Sequence, residues 1–103
     1  MGQVRGFFEY KILPEKRAAY LRWSPQWKQL MRAAGLDDFA VLESNQRPNQ
    51  FLETFTVESI GQYESIVQGL TQQAAYRELR ARLDELLEGG RERMKIWFFT
   101  EMC

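Results

Sequence analysis

The sequence predicts one α+β domain in which strands and helices alternate as β-α-β-β-α-β, and three observations carry that prediction. Apolar and polar residues alternate with a period of two in short stretches. Two longer stretches between them carry apolar residues at helical spacing. Segments containing Asn, Pro and Gly fall at the junctions where the chain must turn.

Residues 3–13 place Val4, Gly6, Phe8, Tyr10 and Ile12 on one face and Arg5, Phe7, Glu9 and Lys11 on the other. This is a strand with one apolar and one mixed face. Pro14 ends it and suits the first turn of a helix. Over residues 15–34, Tyr20, Trp23, Trp27, Leu30, Met31 and Ala34 share one helical face. Pro25 lies inside that stretch. The stripe keeps its phase across the proline, so a kink is expected rather than a restart capped by Ser24. Gly35 supplies a left-handed stop. Residues 38–44 and 50–57 form the second and third strands. The segment Asn45-Gln46-Arg47-Pro48-Asn49 joins them as an antiparallel hairpin. Ser59 and Gln62 match a capping box ahead of Tyr63, Ile66, Val67 and Leu70. The phase slips between Gly69 and Gln73 and resumes at Tyr76, Leu79, Leu83, Leu86 and Leu87. Two helical pieces meeting near Thr71 account for this. Gly89-Gly90 closes the second piece, and residues 93–101 form the last strand.

That order is the split βαβ, ferredoxin-like arrangement. Right-handed crossovers place both helical regions on one face of a four-stranded antiparallel sheet, with the first and last strands adjacent. Phe8, Tyr10, Ile12, Met94, Ile96 and Phe98 suit the helix-covered side. Arg5, Phe7, Glu9 and Lys11, with Lys95, Trp97, Phe99 and Glu101, suit the bare side. In the third strand Phe51, Glu53, Phe55 and Val57 alternate against Leu52, Thr54 and Thr56. The Phe51 set is assigned to the bare face, because Glu53 under the helices would need a partner. Phe7, Phe55, Trp97 and Phe99 would then expose on the order of several hundred Å², the largest patch a monomer tolerates. A second copy packed sheet to sheet about a two-fold axis removes that exposure, so a homodimer is expected.

Bulk properties narrow the function classes. The chain has 103 residues, one domain's worth, spanning 1–103. It is 45% hydrophobic and 27% charged, with 14 basic and 14 acidic residues. Zero net charge without a basic stripe argues against nucleic acid as a partner. No apolar run approaches the ~20 residues of a membrane helix, so no membrane partner is expected. Met1 to Tyr10 lacks a signal-peptide pattern, and a cytoplasmic location is expected. Cys103 is the single cysteine and reads as a free surface thiol. There is no histidine. That excludes Ser-His-Asp and Cys-His catalysis and His-based zinc or haem ligation. A metal site would rest on carboxylates alone, and no cofactor is expected.

The candidate chemistry lies on the bare face. Glu9, Glu53 and Glu101 are placed there together, and a carboxylate pair with one raised pKa supports proton shuttling, with Glu53 or Glu9 as base. The alternative is that Arg5, Lys11 and Lys95 neutralise them as cross-strand pairs, each contributing ~0.2–1 kcal/mol. Phe7, Phe55, Trp97 and Phe99, with Arg5 beside them, suit the wall of a site for a flat aromatic molecule. The alternative is dimer packing, where such residues are enriched. Tyr20, Trp23, Trp27 and Met31 read as core.

Two stretches carry a family resemblance. Phe51-Leu52-Glu53-Thr54-Phe55-Thr56-Val57-Glu58-Ser59 is a strand running into a Ser-capped helix, and Ala34-Gly35-Leu36 leads into the second strand. Over most of residues 3–101 the chain resembles the dimeric α/β-barrel superfamily, in particular its antibiotic-biosynthesis-monooxygenase-like and NIPSNAP-like branches. That resemblance implies a dimer whose sheets enclose ligand pockets. Superfamily members include cofactor-free oxygenases, haem-degrading enzymes and lactone isomerases. Two departures count against simple transfer of activity. A histidine frequent early in the second helix of the monooxygenase branch is missing, with Tyr63 and Glu64 nearby instead. The iron ligand of the haem-degrading branch is also missing. The expected function is a homodimer binding a small apolar or aromatic molecule between its sheets. The alternatives are a cofactor-independent monooxygenase or isomerase, and an assembly module without a ligand.

Overall fold

A computed structural model describes residues 2–103. Strand β1 spans Val4–Lys11, and Pro14–Lys16 then make one 3-10 turn. Helix α1 (Arg17–Ala33) runs on through Pro25 without restarting at Ser24. Strands β2 (Ala40–Glu43) and β3 (Gln50–Val57) form the hairpin. Helices α2 (Ile60–Leu70) and α3 (Ala74–Leu86) are the two expected pieces, separated at Thr71–Gln73. A second 3-10 turn, Arg91–Arg93, precedes β4 (Lys95–Thr100).

The strands form one antiparallel sheet in the order β2-β3-β1-β4. This is the ferredoxin-like topology, with β1 and β4 adjacent as expected. Local chemistry explains the joints. The Ser59 side chain accepts the Gln62 N–H, and Gln62 Oε1 accepts the Glu58 N–H, so two donors at the start of α2 are satisfied. Gly35 has φ of 117° and turns the chain out of α1.

The core lies between the sheet and the helices. Helix α1 contributes Tyr20, Trp23, Trp27 and Met31, all buried, and α3 contributes Leu83 and Leu86. The Trp23 ring N–H donates to the Leu79 carbonyl at 2.8 Å and ties α1 to α3.

The third strand faces the other way from the sequence expectation. Phe51, Glu53, Phe55 and Val57 are all buried, while Leu52, Thr54 and Thr56 take the open face. Register explains the inversion. Gly6 sits opposite Phe55, and a Cβ on Gly6 would lie 2.3 Å from the Phe55 ring. The apolar face of β1 therefore has room for Phe55 over Gly6. Its register partners must share that face. Glu53 follows Phe55 inward, and its partners are Tyr10 and Trp27.

The last strand is only partly covered. Phe98 packs on the core, but Ile96, on the same face, is 53% exposed. β4 is an edge strand, and the helices do not reach across it there.

Candidate functional site

The open face of the sheet carries a broad concavity of about 820 Å³. The pleat builds it. Phe7 on β1 sits opposite Trp97 on β4, and Arg5 sits opposite Phe99. The Phe7 and Phe99 rings meet edge to face with centroids 5.7 Å apart. Trp97 is 38% exposed and Phe99 57%, large values for such side chains. Polar groups are set among them. Gln50 donates to Glu9, and Arg5 pairs with Glu101 at 3.5 Å. Both charges of that pair are substantially solvated, so it contributes little stability. The arrangement suits a flat apolar molecule held on an aromatic wall, with a carboxylate and a guanidinium at the margin.

Of the residues the sequence marked, Arg5, Phe7, Glu9, Trp97 and Phe99 line this concavity together. Glu53 and Phe55 do not. Both are on the helix side, so the sheet separates Glu53 from Glu9 and from Glu101, and no carboxylate pair forms. Leu42 and Leu52 complete the wall and were missed. Their signal was available: once Phe55 faces inward, Leu52 must face outward, and Leu42 pairs with it across β2 and β3.

Glu53 has its own surroundings. It is 4% exposed, accepts the Tyr10 hydroxyl at 2.5 Å on Oε2, and accepts the Trp27 ring N–H at 3.1 Å on Oε1. The Tyr10 and Tyr20 hydroxyls are 2.7 Å apart, which extends the network into α1. Burial pushes the Glu53 carboxyl above the ordinary range, and the two hydrogen bonds and the Arg80 charge only partly oppose it. Burial also raises the Tyr10, Tyr20 and Tyr63 hydroxyls.

At the hairpin, Arg17 pairs with Glu43, donates to Asn49 Oδ1 at 2.9 Å, and lies over the Phe51 ring. The Arg17 hydrogen bond holds the Glu43 carboxyl down at about 2. Asn49, with φ of 67°, makes the left-handed turn into β3. This cluster is structural. Among the described residues, no three His, Cys, Asp or Glu side chains converge to hold a metal ion. No helix there is long and apolar enough to cross a membrane.

No family model matches the sequence, and no curated relative matches it. Solved structures do match its fold. A NIPSNAP family protein from Agrobacterium tumefaciens superposes with a TM-score of 0.81 at 14% identity, covering 98% of this chain and 87% of that one. An uncharacterised NIPSNAP-like domain protein from Burkholderia xenovorans gives 0.78 at 14%, covering 98% and 86%. A structure described as an antibiotic biosynthesis monooxygenase gives 0.76 at 10%, covering 97% and 99%. At these identities the likeness is one of fold. It agrees with the fold that the resemblance of the two sequence stretches implied.

Proposed function

We propose that this chain is a homodimeric small-molecule-binding protein, with the open sheet face closed by a second copy around a small apolar or aromatic ligand. The observation that carries this reading is the aromatic wall of Phe7, Trp97 and Phe99 on a face that, among the described residues, no helix covers. Its volume lies in the range of small-molecule sites. The face bears charges of both signs, Arg5, Glu9, Lys95 and Glu101, so a two-fold related copy can present each charge with its opposite. A structure described as an antibiotic biosynthesis monooxygenase shares this fold, and a small-molecule role accords with that description.

Sedimentation of the wild type at micromolar concentration is expected to show a species of twice 12.2 kDa. Replacing Phe99 by Asp is expected to give monomers that remain folded by circular dichroism. A 12.2 kDa species alone in the wild type sinks the dimer. A screen of flat aromatic compounds should raise the melting temperature and quench Trp97 fluorescence, more so as concentration rises. The catalytic alternative, a cofactor-independent oxygenase or isomerase, has Glu9 as the proton acceptor within reach of this face.

A further inference from the structure

A second cavity lies on the opposite face of the sheet, beneath the helices, and Glu53 is in its wall. It is small, about 80 Å³, and its lining is apolar apart from four side chains that carry carboxyl, hydroxyl or guanidinium groups. These are Glu53 on β3, Tyr63 on α2, and Tyr76 and Arg80 on α3. Stacking fixes both phenol rings: Tyr63 lies on Phe55 with centroids 5.1 Å apart, and Tyr76 on Trp27 at 5.4 Å. Neither hydroxyl is a sealed, unsatisfied group: among the described residues no buried side-chain polar atom lacks a hydrogen-bond partner. The Glu53 carboxylate accepts from Tyr10 and Trp27, one bond on each oxygen. A carboxylate has about four acceptor positions, so two remain.

Arg80 is the one basic side chain in the cavity wall. Arg80 and Arg91 both bind Asp84, at 3.1 and 2.8 Å, so one carboxylate answers two guanidiniums. The Arg80 charge reaches both Glu53 and Tyr63. Met94 and the exposed Ile96 also line the cavity, which puts its rim at the uncovered edge of β4.

We propose that this cavity is a site for proton transfer at carbon, at which Glu53 takes a proton from the α-carbon of a compact carbonyl compound. Tyr63, Tyr76 and Arg80 hold the carbonyl oxygen. The C–H bond breaks, its electron pair becomes the C=C bond of an enolate, and the oxygen gains the negative charge facing the phenol and guanidinium donors. Glu53 then returns the proton to carbon, so the step is redox-neutral and needs no co-reactant. Burial raises the basicity of Glu53 above that of an exposed carboxylate, which favours this role. The size of the cavity limits the compound to a few heavy atoms, a different class from the flat ligand of the open face.

The test is exchange of solvent deuterium. Pyruvate, butanone and cyclopentanone are each incubated with the protein in D2O, and loss of the α-C–H signals is followed by proton NMR. Exchange about a hundredfold above buffer is expected for at least one of them. Glu53→Gln should abolish it, Tyr63→Phe and Arg80→Met should each reduce it, and Arg22→Gln, on the outer surface of α1, should leave it unchanged. If Glu53→Gln does not fold, the Tyr63→Phe result decides. No exchange with any of the three compounds overturns the proposal. So does exchange in Glu53→Gln equal to wild type, or undiminished exchange in Tyr63→Phe. None of these outcomes bears on the dimer, which sedimentation tests separately.

Discussion

Glu53 and Glu43 are carboxylates whose protonation is coupled to folding with opposite signs. The Glu53 carboxyl is raised by burial, so the folded chain holds its proton more tightly than the unfolded chain does. Its contribution to stability is greatest below the unfolded value and is lost as pH rises through the folded value. Glu53→Gln removes this dependence. Urea unfolding at pH values stepped upward from the ordinary carboxylate range should show the wild type losing stability relative to Glu53→Gln as pH climbs. Glu43 is held down at about 2 by Arg17, so its contribution is present above the ordinary carboxylate value and fades as pH falls toward 2. Glu43→Gln should therefore unfold with a shallower loss of stability on acidification below about pH 4.5 than the wild type. Glu53 also shows where reading single residues stops. Its charge was legible, and so was its need for a partner if buried. The partners were not, because Tyr10 and Trp27 are 43 and 26 residues away in sequence.

Among the elements, β3 was the one assigned to the wrong side. Its alternation was visible as Phe51, Glu53, Phe55 and Val57, and period two gives two face assignments of equal quality. What decides between them is cross-strand. Gly6 leaves a gap on the apolar face of β1, and Phe55 fills it. Gly6→Ala is accordingly expected to destabilise the fold by about 1–3 kcal/mol through overpacking, measured by urea unfolding. Adding Phe55→Leu should recover part of that loss, because the smaller side chain vacates the contact. If Gly6→Ala is neutral, the gap is not what sets the register. Other elements were legible throughout. The slip of phase after Gly69 marked the break between α2 and α3, and Ser59 with Gln62 marked the start of α2. These signals are local, carried by residues within a turn or two of each other.

For the whole molecule, one open sheet face of mixed charge and exposed aromatics organises the functional reading. If that face is shared with a second copy, folding and association are linked. The melting temperature should then rise with protein concentration in the wild type and stop doing so in Phe99→Asp. Concentration-independent melting in both would mean that the face stays open to water.

The sequence by itself determined the number, order and type of the elements, because turn residues and hydrophobic periods are local and need no knowledge of neighbours. It also determined that Phe7, Trp97 and Phe99 share one face with Arg5 and Glu9, since β1 and β4 each have one plainly apolar face to bury. Only the tertiary structure decided the face of β3, and with it the separation of Glu53 and Phe55 from the other marked residues. That choice rests on which side chains meet across β1 and under α1, contacts between residues far apart in the chain.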